Sequence, residues 1–305
     1  MFNVPVLLII YNRPQLTSRV FAEIRNIKPE RLYIAADGAR GDRPGDPQQV
    51  AAAREIASAV DWPCQVKKLF REKNLGCKVG PSSAINWFFE NEAEGIILED
   101  DCLPHPSFFP FCQELLAQYR NDERVMMISG DNFLNNPQPY SYYFSRYPHI
   151  WGWASWRRAW KFYDVNIPLW PQVRDSGILN TFLSPAEAKH WRGIFETTFR
   201  DKNSTSWDHQ WTLACWINNG LTILPEKNLV KNIGLGLEST HTKESPPSHC
   251  PPLYAMEFPL RHPPFIVRNL QADQYTYTIF LQKPFWGTRF CKLFFSVFKI
   301  GKGRR

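Results

Sequence analysis

Short apolar segments alternate with helix-forming segments through the first hundred residues, and no other feature of the sequence restricts the fold as strongly. The segment 4–11 is almost continuously apolar, as expected of a strand that is buried on both faces. Further strands are predicted at 31–36, 64–70 and 95–98, and helices at 14–27, from 46 onward and at 81–91. Strands joined by single helices of this length imply right-handed crossovers. The sequence therefore predicts an α/β fold with a mainly parallel sheet flanked by helices.

Local signals also place several helix starts and two further strands. Asp46 and Pro47 predict an N-cap followed by a proline at the first helical position. Ser184 and Glu187 form a capping-box pattern that predicts a helix ending near residue 200. Ser206 is predicted to cap a second helix that begins at the next residue. Strands are predicted at 125–129 and 221–224.

The composition changes twice along the chain, which suggests three regions. Residues 1–135 carry the alternating strand and helix signals, whereas residues 136–244 contain the densest tryptophan and tyrosine clusters. Residues 245–305 open with a proline-rich stretch, which predicts an extended linker and not a core element.

Charge and cysteine content narrow the functional class. The formal charge is +7 over 305 residues, and no basic stripe runs through the folded part, which argues against dedicated nucleic-acid binding. Seven cysteines without CxxC or other ligand spacing are typical of reduced thiols in a cytoplasmic protein. Residues 1–11 lack the basic start and cleavage site of a signal peptide, and no apolar run approaches the ~20 residues that span a bilayer.

Polar residues follow each of the four early strands at the point where the strand is predicted to end. The carboxyl ends of parallel strands lie along one edge of a sheet, and this edge is where ligands bind in open α/β folds. Four polar strand ends on one edge therefore predict a ligand site. These ends are Asn12-Arg13, Asp37-Gly38, Lys73-Asn74 and Glu99-Asp100-Asp101.

Three adjacent carboxylates at Glu99, Asp100 and Asp101 repel one another and are costly to hold near a buried sheet edge. A divalent cation such as Mn²⁺ or Mg²⁺ would neutralise them, because hard cations prefer oxygen ligands, and it would leave positions open for diphosphate oxygens. The alternative is that Asp101 caps the helix that follows near Pro106, while the other two side chains face solvent.

Asp37 and Arg13 each have two interpretations. The Asp37 carboxylate can accept a hydrogen bond from the imide of a pyrimidine base, although Asp-Gly is also common turn chemistry. Arg13 can face a diphosphate, or it can be a surface arginine that follows a turn.

An ordered series of segments over some 130 residues resembles the nucleotide-binding half of GT-A glycosyltransferases, which have a Rossmann-like fold. The resemblance is strongest to the N-acetylglucosaminyltransferase I type, with bacterial family 2 glycosyltransferases more distant. It implies a nucleotide-sugar-binding half at 1–135 and an acceptor-side half at 136–244. The segments that carry it are Tyr11-Asn12-Arg13-Pro14, Ala36-Asp37-Gly38, residues 76–89 leading into IILEDD, PSFFPFCQELLAQYR and VMMISGDN.

The resemblance assigns roles to the polar strand ends. It implies that Asp101 of this DXD-like motif binds the metal, Asp100 the ribose and Glu99 the donor sugar. It further implies that Asp37 contacts the base and Arg13 the diphosphate.

The second half matches the family more loosely. Residues 151–156 resemble the glycine-aromatic segment that packs against the donor sugar, so Trp153 is a candidate sugar contact. Residues 207–211 resemble a Trp-Asp-Asp-Trp segment that carries the catalytic base, with one extra residue and a histidine in place of the second aspartate. Asp208 is then the candidate base, with His209 as the substitute, or Asp208 is a first-turn carboxylate facing the helix dipole. His241 is a candidate metal ligand.

These observations predict a metal-dependent, inverting hexosyl- or N-acetylhexosaminyltransferase that moves sugar from a UDP-sugar to a glycan or lipid-linked acceptor. Two alternatives are an inactive glycan-binding domain of the same fold and a sugar nucleotidyltransferase. The latter is disfavoured because the first strand is not followed by a glycine-rich phosphate loop. The tail from 277 to 305 interleaves aromatic and basic residues, which favours an amphipathic segment on anionic lipid. A helix docked on the enzyme or an oligomer contact is the alternative, and the predicted location is peripheral, on the cytoplasmic face.

Overall fold

The computed structural model describes residues 2–134, 138–201, 206–234 and 251–281. The strands are β1 Val6–Ile10, β2 Arg31–Ala36, β3 Gln65–Phe70, β4 Glu94–Glu99, β5 Cys102–Pro104, β6 Val125–Ser129, β7 Tyr142–Ser145, β8 Trp153–Trp156, β9 Leu221–Pro225 and β10 Val230–Asn232. The helices are α1 Pro14–Ile27, α2 Asp46–Ser58, α3 Gly76–Asn91, α4 Phe108–Gln118, α5 Arg157–Trp160, α6 Trp170–Ser176, α7 Leu179–Phe182, α8 Pro185–Arg200, α9 Asp208–Ile217 and α10 Leu270–Thr276.

Eight strands form one sheet in the order β3-β2-β1-β4-β8-β6-β9-β7. The pairs β3-β2, β2-β1, β1-β4 and β6-β9 are parallel, and β8 and β7 run antiparallel to their neighbours. Six strands therefore point in one direction, and strands from both predicted halves share the sheet. The predicted α/β class with a mainly parallel sheet is confirmed.

The inner strands of the sheet are buried on both faces, whereas the edge strand β3 is largely exposed. Successive side chains of a strand point to opposite sides, so each inner strand contributes to two apolar clusters. In β1, Val6, Leu8 and Ile10 belong to one apolar cluster, whereas Leu7 belongs to the other. The first cluster contains residues of α1, α2 and α4, and the second contains residues of α3, α8 and α9. Helices on both faces thus fix the strands, so the positions of the strand ends follow from the packing of the core.

Helix starts show where the local signals succeed and where tertiary contacts replace them. The capping box between Ser184 and Glu187 is present, as predicted. The N-cap prediction for Asp46 is wrong: Gly45 holds the cap position with φ +81°, and Asp46 makes no capping bond. Ser206 also does not cap α9, because Trp207 holds that position and the Ser206 hydroxyl donates to Asp208 instead.

The strands β7 and β8 were not predicted from the sequence. Each has only four residues, and all of them are buried, so no alternation of polar and apolar residues marks them. Helix α3 also begins at Gly76, five residues before the predicted start, and contains Pro81.

The described part of the proline-rich segment contributes to the core, contrary to the prediction of a bare linker. Met256 and Leu260 are buried in the first apolar cluster. The tail beyond residue 281 and His241 lie outside the described residues. The five described cysteines are free thiols. Within the described ranges, no helix is long and apolar enough to cross a membrane.

Candidate active site

A cleft of about 850 Å³ opens at the carboxyl ends of the parallel strands. The structure brings together the polar ends of β1, β2 and β4, which the sequence predicted to share one edge. Residues of α3 and of the first turn of α9 complete the walls. The polar lining includes Asn12, Arg13, Asp37, Asn74, Glu99, Asp100, Asp101, Asp208 and His209.

The acidic tripeptide lies on the floor of this cleft and is paired with Arg13. Asp100 is 2% exposed, and its Oδ2 accepts a hydrogen bond from the Tyr11 backbone N–H at 3.0 Å. The Arg13 guanidinium forms an ion pair with Asp100 through Nη2 and donates to Asp101 Oδ2 through Nη1 at 2.9 Å. Asp101 therefore does not act as a helix cap, and Ser107 holds the N-cap position of α4.

The electrostatics of the tripeptide favour a bound cation. Burial, together with the charges of Asp101 and Asp100, raises the pKa of Glu99 to about 8. Burial also raises the pKa of Asp100 to about 6, although Arg13 opposes that increase. One guanidinium therefore compensates the three carboxylates incompletely, and additional positive charge would stabilise their ionised forms.

Gly234 is a site residue that the sequence did not reveal. Its backbone follows β10, which pairs with β5 directly after the tripeptide, and the Ile233 N–H donates to the Asp101 carbonyl at 2.8 Å. A Cβ atom at residue 234 would lie 2.5 Å from Asp101 Oδ2 and 2.8 Å from Arg13 Nη1. Only glycine fits against this ion pair. No local pattern marks the position, because the contact joins segments more than a hundred residues apart.

The donor atoms near Asp101 suit a hard divalent cation. Carboxylate oxygens and the neighbouring Asn232 side chain are the ligand type that Mg²⁺ and Mn²⁺ prefer. Among the described residues, no group of three or more His, Cys, Asp or Glu side chains is arranged to hold a metal by itself. The residues present therefore fit a cation that takes few protein ligands and fills its remaining positions from substrate and water.

The Asp37 carboxylate organises the loop at the end of β3. It accepts hydrogen bonds from the backbone N–H groups of Gly38, Leu75 and Gly76 at 2.9–3.0 Å. The Asn74 side chain donates to the Gly38 carbonyl at 2.8 Å. A role for Asp37 in binding a base stays a prediction, but most of its acceptor capacity already serves the start of α3.

Three arginines that were not selected from the sequence also line the cleft. Arg40, Arg43 and Arg71 lie on the loops that follow β2 and β3. The Arg40 guanidinium lies 5.4 Å from the centre of the Tyr11 ring. Together with Arg13, these side chains add positive charge to the cleft, which suits a polyanionic ligand.

Helix α9 brings the candidate base to the cleft. Asp208 is the first residue of α9 and lines the cleft beside Trp207 and His209. Its charge adds to the burial and to the charges of Asp101 and Asp100 that raise the pKa of Glu99. His209 Nδ1 lies 3.4 Å from the Thr198 hydroxyl.

The prediction that Trp153 contacts a sugar is wrong. Trp153 is 1% exposed and packs against Trp160, Trp207 and Trp211 in the second apolar cluster. It belongs to β8 in the middle of the sheet, opposite Ile97, so its side chain is enclosed by neighbouring elements. The tryptophans that line the cleft are Trp151 and Trp207.

Comparisons with known proteins give a distant structural likeness. No protein-family model matches the chain, and no curated protein matches it. Among solved structures, mouse xyloside xylosyltransferase 1 in its apo form is similar over 72% of this chain and 84% of that chain. The sequence identity is 13% and the TM-score is 0.33. At this level the likeness identifies neither a family nor a function.

Proposed function

We propose that this protein is a glycosyltransferase of the GT-A type that transfers a sugar from a nucleotide-diphosphate donor to a hydroxyl group. The observation that carries the proposal is the arrangement of one cleft: an acidic tripeptide paired with Arg13 on the floor, and Asp208 on the wall. The sequence resemblance to the N-acetylglucosaminyltransferase I type, which includes these same residues, is consistent with it. A UDP-sugar is the donor that the resemblance favours.

The residues of the cleft divide the work between the donor and the acceptor. Arg13 carries a fixed positive charge that can compensate the departing diphosphate, and the backbone of Tyr11 holds Asp100 in place for the ribose. Asp208 takes the proton of the acceptor hydroxyl as general base. The oxygen then attacks the anomeric carbon as the bond to the diphosphate breaks, with inversion. One base is sufficient for this route.

A divalent cation, Mn²⁺ or Mg²⁺, would be held by Asp101 and would supply further positive charge for the diphosphate. Asp101 can bind the cation and pair with Arg13 at the same time, because its carboxylate has two oxygens and Arg13 contacts only Oδ2. His241 stays a predicted additional ligand.

Replacement of Asp101 by asparagine tests the metal assignment. In the presence of Mn²⁺ we expect the Kd for UDP to rise at least about tenfold, because one charged ligand of the cation is lost. A chelator added to the unchanged protein should have the same effect, measured by calorimetry. Asp61→Asn is the matched control, because it removes an arginine-paired carboxylate on the surface, where Arg25 is the partner. Equal UDP affinity of the Asp101 variant and the control, with and without chelator, would contradict the assignment.

Hydrolysis of the donor separates the alternatives. A glycan-binding domain that has lost catalysis releases no nucleotide diphosphate from any sugar nucleotide, and the histidine in the segment 207–211 keeps this alternative open. A nucleotidyltransferase would instead form a sugar nucleotide from a sugar phosphate and a nucleoside triphosphate. The absence of a glycine-rich loop after β1 disfavours it.

A peripheral location on the cytoplasmic face of a membrane is proposed from the sequence of the tail. The segment 282–305 contains basic and aromatic residues and no acidic ones. We expect the full chain to sediment with anionic vesicles and a chain ending at residue 281 to sediment less, with neutral vesicles as the control. Equal sedimentation of the two chains would argue for a tail that docks on the protein or on a second copy. Membrane attachment would suit a lipid-linked or envelope glycan acceptor.

A further inference from the structure

Asp46 is a buried carboxylate that joins two loops of the cleft. It is 4% exposed and is the first residue of α2, so the helix fixes its backbone. Its Oδ2 accepts from the Tyr11 hydroxyl at 2.5 Å and from the Arg40 backbone N–H at 2.7 Å. Its Oδ1 accepts from the Asn12 side-chain amide at 2.5 Å. Three donors from the β1–α1 and β2–α2 loops thus converge on one side chain.

This carboxylate does not cap the helix in which it lies. A helix-start aspartate normally accepts from the N–H groups of its own first turn, whereas Asp46 makes no such bond. Burial alone would raise the pKa of Asp46, but the donors Tyr11, Arg40 and Asn12 lower it below its usual range. The side chain is therefore held as an anion by loop residues.

The loop residues that Asp46 holds are adjacent to the acidic tripeptide and its partner. The Tyr11 backbone N–H donates to Asp100, and Arg13, two residues later, pairs with Asp100 and Asp101. On the other loop, Arg40 lines the cleft and lies over the Tyr11 ring. Displacement of Tyr11 would therefore disturb both its bond to Asp100 and the position of Arg40.

We propose that Asp46 is a positioning residue for the donor: its carboxylate sets the β1–α1 and β2–α2 loops in the conformation that binds a nucleoside diphosphate. This inference rests on the proposed function for the identity of the ligand. It assigns Asp46 no contact with substrate. Asp46 acts on the donor through Tyr11, Asn12 and Arg40. Substitution of Asp46 should therefore change the affinity for the donor more than the rate of sugar transfer in the enzyme–donor complex.

Asp46→Asn tests the proposal, because the NH₂ group of asparagine is a donor and cannot accept the hydrogen bonds that the loop residues donate to the carboxylate. We expect exchange of the Arg40 backbone amide, which donates to Asp46, to accelerate about tenfold or more, since a hydrogen bond to a buried charge is lost. Exchange at Tyr11 should accelerate as well, because the loss of its hydroxyl bond to Asp46 releases the loop that presents its N–H to Asp100. The Kd for UDP with Mn²⁺, and the KM for the donor, should rise about tenfold, with a smaller change in kcat. Tyr11→Phe removes one of the three bonds and should give an intermediate effect even where the Asp46 variant folds poorly.

Glu92→Gln is the matched control for a purely structural effect. Glu92 is also a buried carboxylate, 6% exposed, and accepts from a tyrosine hydroxyl (Tyr33, 2.7 Å) and from the Arg31 guanidinium at 2.9 Å. It is the C-cap residue of α3, two residues before β4, and does not line the cleft. We expect the control to lower the unfolding midpoint, as Asp46→Asn does, and to leave UDP affinity unchanged.

The outcomes distinguish this inference from the proposed function. Unchanged exchange at Tyr11 and Arg40 in Asp46→Asn would overturn the inference, whatever the ligand. Faster exchange with UDP affinity equal to that of the Glu92 control would overturn the positioning role. If the unchanged protein binds no nucleotide with or without Mn²⁺, the proposed function fails together with the donor role of Asp46.

Discussion

Asp208→Asn should lower kcat for sugar transfer by about 10²–10⁴-fold, the usual contribution of a positioned general base. The variant should bind UDP with unchanged affinity, because the proposed nucleotide contacts are made by Arg13, Asp37, Asp100 and the cation at Asp101, and Asp208 makes none of them. Asparagine keeps the shape of the side chain and can still accept the bond that the Ser206 hydroxyl donates. The substitution therefore removes the proposed base and leaves the first turn of α9 intact.

The measurement is the initial rate of transfer at saturating donor, compared with the UDP Kd of the same preparation. His209→Gln is the companion variant, because His209 lines the same wall and follows Asp208 directly. We expect it to retain most of the activity. If the histidine variant loses transfer while Asp208→Asn remains active, His209 is the base. If both remain active, the base lies elsewhere in the cleft.

The early part of the fold could be predicted because its determinants are local. Helix α1 and strands β2 and β6 have the predicted bounds, since each is a single uninterrupted segment of one periodicity. The position of Glu99, Asp100 and Asp101 beside Arg13 could also be inferred. That inference needs only the rule that parallel strands end at one edge of a sheet.

The parts that could not be predicted depend on contacts between distant segments. Gly234 is restricted by Asp101 and Arg13, and the role of Asp46 depends on loop residues more than thirty positions earlier. At Asp46 the local pattern indicates a helix cap, and tertiary hydrogen bonds replace that cap. A local pattern that indicates a helix cap can therefore hide a role that depends on tertiary contacts.

Trp153 illustrates the same limit for aromatic residues. The sequence places three tryptophans at 151, 153 and 156, and each has the chemistry to pack against a sugar. Only the position of β8 inside the sheet determines that Trp153 is buried while Trp151 lines the cleft. Strand β8 could not be recognised from periodicity, so this distinction was inaccessible without the structure.

The largest effect on stability should come from a substitution in a buried ionic network that is formed by residues after position 140 and does not include the acidic tripeptide. Arg146 is 5% exposed, pairs with Glu187, and donates to the Phe182 carbonyl at 2.5 Å. The Tyr147 hydroxyl donates to Glu187 at 2.8 Å. Asp273 of α10 accepts from Ser145 at 2.5 Å and thereby joins this network to the C-terminal helix.

Arg146→Met should lower the free energy of unfolding by about 3–5 kcal/mol, because Glu187 is left charged and buried without its cation. Denaturant unfolding followed by fluorescence measures the change. Arg120→Met is the matched control: Arg120 pairs with Glu94 through two bonds of 2.6–2.8 Å but is mostly exposed, so the expected loss is within about 1 kcal/mol.

The double variant Arg146→Met with Glu187→Gln decides whether charge is the cause. Removing both ionic partners should recover part of the loss, since the dominant penalty is an uncompensated buried carboxylate and not a missing contact. The capping box of α8 is retained in the double variant, because a glutamine at position 187 can also accept a hydrogen bond from the Ser184 backbone N–H. Additive losses in the double variant would instead indicate that Arg146 stabilises the fold through its bond to Phe182 and its packing. In that case α10 should stay docked through the hydrogen bond that the Ser145 hydroxyl donates to Asp273.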